Sequence, residues 1–153
     1  MEDHLKYMNE AIQEAYKAQE LGEVPIGAVI VKDNEIIARG FNLRETLKDP
    51  TAHAEIIAIK QASKILGGWR LTGCTLYVTL EPCQMCAGAL IQSRVDHLVF
   101  ATRDEKAGCA VSLVNLLQDA RFNHQVQITE GVLKEESAKL LRDFFINLRK
   151  SKF

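Results

Sequence analysis

The sequence predicts an α/β protein, a three-layer α/β/α sandwich built on a five-stranded mixed sheet. Short β-branched runs alternate with stretches of helical period from one end of the chain to the other. The 153 residues, close to half of them apolar and a quarter charged, suit one domain, 1–153, with a real hydrophobic core. No repeat, low-complexity segment or linker divides them.

Leu5, Met8, Ile12, Ala15 and Leu21 recur at helical spacing, so residues 3–21 read as an amphipathic helix. Gly22 ends it and Pro25 keeps it from resuming. The runs 26–31 and 36–41 flank Lys32-Asp33-Asn34-Glu35, which is turn chemistry, and together form a β-hairpin. Gly27 in its first strand marks either a bulge or a place where a ligand or another backbone comes close. A polar loop, 42–50, leads to a helix capped by Thr51 that runs to Leu66, with Ile56, Ile59 and Ile65 as its apolar side and Gly67-Gly68 as its stop. Residues 74–80 are a third strand, apolar enough for the centre of a sheet. It passes through Glu81-Pro82 into a helix over 83–93. A fourth strand over 97–101, a charged loop over 102–109, a short helical turn over 112–117 and a fifth strand over 126–129 follow. The last helix, 134–149, turns Leu140, Leu141, Phe144, Phe145 and Leu148 to one side.

The net charge of −1 argues against a protein that coats nucleic acid, while leaving room for a local basic patch. Such a patch lies in the tail, where Lys139, Arg142, Arg149, Lys150 and Lys152 face Asp143 alone, with Phe145 and Phe153 among them. Basic residues interleaved with aromatics suit a nucleic-acid backbone with an unstacked base. Taken alone, the tail reads more simply as a solvated helix end whose charges complement the helix dipole. The first residues lack the basic start and apolar run of a secretion signal, and no apolar stretch approaches a membrane span. A cytoplasmic location follows as the expectation. In that setting, metal binding is a better reading than a disulfide for a close pair of cysteines.

Two stretches carry the chemistry: Thr51-Ala52-His53-Ala54-Glu55 and Glu81-Pro82-Cys83-Gln84-Met85-Cys86. Zn²⁺ takes nitrogen and sulfur ligands in a tetrahedron, and a catalytic site keeps one corner open for water. His53, Cys83 and Cys86 fill three corners, and Glu55 is left free to move protons at the fourth. A lone histidine on a helix is usually a packing or surface residue; the cysteine pair downstream is what makes this one a ligand. Cys83 and Cys86 lie three apart, on one helix face at the positive end of its dipole, where thiolate is favoured over thiol. H-x-E followed by P-C-x-x-C is the signature of zinc-dependent base deaminases. Cys74 and Cys109 stand in no metal-binding spacing.

The flanking words narrow this further. Gly22-Glu23-Val24-Pro25-Ile26-Gly27-Ala28, Asp49-Pro50-Thr51-Ala52-His53-Ala54-Glu55, Leu76-Tyr77-Val78-Thr79-Leu80-Glu81-Pro82-Cys83, Met85-Cys86-Ala87-Gly88-Ala89 and Phe122-Asn123-His124 resemble the bacterial tRNA-specific adenosine deaminases of the cytidine-deaminase superfamily. The resemblance covers nearly the whole chain. It implies a cytidine-deaminase-like fold, a zinc cofactor, a homodimer, and hydrolysis of adenosine to inosine at the wobble position of a tRNA anticodon. It also implies that Asn42 contacts the flipped nucleotide and that Asp104, Asn123 and Phe145 lie near the anticodon-loop nucleotides. Leu113, Leu116 and Leu117 are apolar candidates for a dimer interface. Two other readings share part of this pattern. A deaminase of free bases or nucleosides uses the same catalytic residues. A non-catalytic zinc-binding RNA adaptor uses the metal alone, but a purely structural site normally closes with a fourth protein ligand.

Overall fold

The structure, a computed structural model, describes residues 2–151; Lys152 and Phe153 of the basic tail lie outside them. Its elements are α1 (Glu2–Glu20), β1 (Gly27–Lys32), β2 (Glu35–Phe41), α2 (Ala54–Leu66), β3 (Cys74–Leu80), α3 (Gln84–Gln92), β4 (His97–Thr102), β5 (Gln127–Glu130) and α4 (Lys134–Lys150). The strands form one mixed sheet in the order β2-β1-β3-β4-β5. β1 is antiparallel to β2 and β3, whereas β3, β4 and β5 run parallel. The tight β1–β2 turn places Asp33 and Asn34 at φ 51° and 62°, the left-handed pair that a two-residue hairpin needs.

Strand alternation sorts the core into two layers. Ala28 and Ile30, Leu76 and Val78, and Leu98 and Phe100 point to the face covered by α2 and α3. Val29 and Val31, Tyr77, and Val99 and Ala101 point to the other face, where Tyr7, Met8 and Ala11 of α1 pack. The helix layers are built from smaller side chains than the periodicity predicts. On α2 the buried stripe is Ala54, Ala58 and Ala62, while Ile65 is exposed. Alanine at this spacing lets the helix close onto Gly40 of β2, where an added Cβ would lie 2.4 Å from the Ala54 carbonyl oxygen. Gly27 meets α1 in the same way: a Cβ there would sit 2.1 Å from the Ala11 oxygen. Its role is therefore backbone approach, and the irregularity in β1 falls between Ile30 and Val31 instead. On α1, Met8, Ile12 and Ala15 are buried as expected, but Leu5 faces solvent, as does Leu21, just past the helix end at Glu20.

Three further expectations are corrected. Residues 112–117 form turns and irregular chain with no helix, and Leu117 is fully buried in its own subunit, so it is not available to an interface. α2 begins at Ala54 and its N-cap is His53; the Thr51 hydroxyl donates to the Asp49 carboxylate (2.8 Å) and does not cap the helix. On α4, Leu140 is buried, but Phe145 and Leu148 are exposed; the helix is amphipathic, yet it keeps part of its apolar side out of the core.

Candidate metal centre and substrate cavity

Two helix N-termini converge at one side of the sheet. His53 is the N-cap of α2 and Cys83 the N-cap of α3, both with extended backbone, and Cys86 lies within the first turn of α3. The short strand-to-helix passage through Pro82 is what turns both sulfurs toward the end of α2. The Nδ1 of His53 stands 3.7 Å from the Cys83 sulfur and 3.5 Å from the Cys86 sulfur. A tetrahedral zinc with ordinary Zn–S and Zn–N bonds sets its nitrogen and sulfur ligands about 3.6 Å apart. The three donor atoms all lie within 4.8 Å of one another, close enough to share one ion.

The donors are electrically coupled. A hydrogen bond from Cys86, opposed by burial and aided by His53, holds the Cys83 thiol down at about 4. The Cys86 thiol is pushed up, first by the same shared hydrogen bond and then by burial and by Glu55. A metal needs both sulfurs as thiolates, so its binding releases any proton that they hold.

Glu55 is almost wholly buried and lies outside the donor triad. Burial pushes its carboxyl up to about 7 and the Cys83 charge adds to this, against the pull of its own backbone N–H and of His53. A carboxyl held near neutrality is suited both to accept and to return a proton.

Beside the triad opens a cavity of about 580 Å³. His53, Glu55 and Cys83 form its floor; Val24, Ile26 and Leu80 give it apolar walls; Asn42, Arg44, Asp104, Lys106 and Phe145 stand around it. The structure therefore brings together Asn42, Asp104 and Phe145, three of the residues singled out from the sequence. Asn123 is exposed and is not part of the cavity lining. The Asn42 amide donates to the Val24 carbonyl (3.2 Å) and accepts from the Arg44 N–H (3.1 Å).

Sequence reasoning missed two buried carboxylates that hold the loops of this cavity. Glu23 accepts the N–H groups of Glu45 (3.1 Å) and Thr46 (2.5 Å) in the 42–50 loop. Burial works against its charge, but these bonds and the Arg44 guanidinium keep its carboxyl below the usual range. Glu81 does the same for the 104–112 loop. The bonds link residues 22 to 31 positions apart, so no local pattern announces them.

A family model for MafB19-like deaminases matches residues 2–149. The tRNA-specific adenosine deaminase of Bacillus subtilis (strain 168) is 60% identical over 146 residues, 95% of this chain and 91% of that protein. The enzyme of the same name from Aquifex aeolicus (strain VF5) is 49% identical over 143 residues, 94% of each. A solved structure from work on A-to-I editing by tRNA:A34 deaminases at the wobble position of transfer RNA superposes with a TM-score of 0.86 at 43% identity, covering 89% of this chain and 99% of that one. The guanine deaminase of Bacillus subtilis superposes less fully, with a TM-score of 0.61 at 33% identity over 75% of this chain and 84% of that one. Matched along almost its whole length, this chain belongs to the MafB19-like deaminases and to the tRNA-specific adenosine deaminases.

Proposed function

We propose that this protein hydrolyses adenosine to inosine at the wobble position of a tRNA anticodon, with one zinc ion per subunit held by His53, Cys83 and Cys86 and with Glu55 as the proton carrier. The observation that carries this reading is a three-donor cluster open to a cavity. Among the described residues no fourth protein donor joins the triad, and Glu55 lines the same cavity of about 580 Å³ as His53 and Cys83. A zinc-binding RNA adaptor has no use for either feature.

Zinc at this site supplies the Lewis acidity that makes a water-derived nucleophile available near neutral pH. Glu55 takes a proton from the attacking water and passes it to N1 as oxygen bonds to C6. It then carries the remaining proton to the departing amine, which leaves as ammonia. N–H groups at the start of α3 stabilise the tetrahedral carbon's oxygen. Adenine must leave the stack to reach this floor, so the target lies in a loop. Asn42 contacts the flipped nucleotide, Asp104 and Phe145 line its entry, and Asn123 meets flanking anticodon-loop nucleotides from outside the cavity. Guanine deamination is the rival within the fold; the higher identity of the tRNA-acting relatives favours adenosine in RNA. We also infer a single domain that works as a cytoplasmic homodimer, with the exposed Leu113 at the interface. No helix among the described residues is long and apolar enough to cross a membrane.

The test is to incubate the zinc-loaded protein with an anticodon stem-loop bearing adenosine at the wobble position, beside free adenosine, cytidine and guanine. Inosine from the RNA alone is expected. Turnover of a free base with none on RNA overturns the substrate.

A further inference from the structure

Glu81 follows the last residue of β3 and stands two positions before Cys83. Its side chain is almost fully buried, and none of the ion pairs among the described residues includes it. A buried carboxylate without a cation is costly unless hydrogen bonds satisfy it. Here the 104–112 loop closes around it. One carboxylate oxygen accepts the N–H of Asp104 (3.0 Å) and the hydroxyl of Ser112 (2.5 Å). The other accepts the consecutive N–H groups of Ala110 (3.1 Å), Val111 (2.7 Å) and Ser112 (2.9 Å). Three successive amides aimed at one oxygen make an anion-binding nest, and the anion is the protein's own. Gly108 leaves room for the carboxylate: a Cβ there would sit 2.3 Å from the Glu81 Cδ.

The loop so held carries part of the cavity wall. Asp104 turns its carboxylate back onto the N–H groups of Lys106 (3.1 Å) and Ala107 (3.2 Å), which fixes 104–107 as a unit. Asp104, Lys106 and Ala107 all line the cavity. Glu81 is not one of the three clustered metal donors, and both its oxygens are occupied by N–H and O–H donors, so it has no part in proton transfer.

We propose that Glu81 is a positioning residue: it anchors the 104–112 loop so that Asp104 and Ala107 stand where the substrate enters. The proposal rests on the reading of the cavity as the deamination site. Its test is the zinc-loaded Glu81→Gln variant, in which an amide N–H₂ replaces one acceptor and faces the loop's N–H groups. Exchange of the Ala110, Val111 and Ser112 amides should accelerate by about tenfold or more, while the Leu98, Val99 and Phe100 amides of β4 exchange as in the wild type. Zinc content should be unchanged. With the wobble-adenosine stem-loop, KM should rise about tenfold and kcat should move by less than about threefold. Loop amides that stay fully protected overturn the proposal, as does loss of zinc together with that protection, which would make Glu81 a support for the metal turn only. Amide exchange is read without substrate, so a wild-type protein inactive on RNA would refute the proposed activity while leaving the anchoring measurable. If Glu81→Gln does not fold, Ser112→Ala removes the hydroxyl donor alone. It should speed exchange at 110–112 and raise KM by roughly two- to threefold each; no change in either overturns the proposal.

Discussion

Glu55 and Glu81 each stand two residues from a member of the His53, Cys83 and Cys86 donor cluster, and both are almost completely removed from solvent. Their surroundings differ. Glu81 meets five hydrogen-bond donors, and although burial opposes the charge, those donors from Ser112, Val111 and Asp104 hold its carboxyl below the usual range. Glu55 lacks such a cradle, so burial dominates and its carboxyl rises to about 7. Burial alone therefore does not decide the state of a buried carboxylate: the number of donors aimed at it separates one held ionised from one held near neutrality. Glu23 belongs with Glu81. It is buried, it accepts two backbone N–H groups, and it holds the loop on the other side of the cavity.

The metal triad against which both are defined breaks most completely. His53→Ala or Cys86→Ala should lose zinc and activity together, since two ligands do not hold the ion in an open site. Metal analysis beside an inosine assay checks this, and a zinc-replete, active Cys86→Ala would place the centre elsewhere. Phe145→Ala comes next. The ring lines the cavity and is 43% exposed, so it is free to meet a base. Base–aromatic stacking is worth about 1–3 kcal/mol, so RNA affinity should fall about 5- to 150-fold with zinc content unchanged. Equal affinity in a binding titration would reject the stacking role.

The smallest effect sharpens the likeness of Glu23 to Glu81. Glu23→Gln strands N–H donors of the 42–50 loop and should cost about 1–3 kcal/mol near pH 7, a fall in Tm of several degrees. The sign with pH follows from its carboxyl lying below the usual 4.5 in the folded protein. The unfolded chain takes up a proton first on acidification, so the stabilisation is full above that value and is lost as pH falls through the lower folded one. Thermal melts of the wild type and Glu23→Gln should therefore converge as pH falls from above the usual 4.5 to well below it. A gap that stays constant over that fall would mean that the charge of Glu23 contributes nothing.

The clustering of His53, Cys83 and Cys86 was legible because it depends on a fixed local spacing, Cys83-x-x-Cys86, which a single helix turn converts into geometry. The strands were legible because each strong apolar run also alternates between two buried faces. The packing side of α2 was not. Hydropathy weights Ile56, Ile59 and Ile65, but a close approach to Gly40 selects the smaller Ala54, Ala58 and Ala62. The α2 cap was misread because Thr51 has a competing acceptor in Asp49, two residues back. Nor does any local signal mark Glu23 and Glu81, whose partners are backbone amides distant in sequence. Gly108 held the one trace, a glycine required by a carboxylate 27 positions earlier.

The division of labour at the metal is tested most directly by one preparation of Glu55→Ala, measured for zinc, for stem-loop binding and for inosine. The account predicts wild-type zinc, RNA still bound, and inosine formation reduced by about 10²- to 10⁴-fold, the usual contribution of a positioned acid–base group. Loss of the metal together with the carboxylate would make Glu55 a ligand and contradict it.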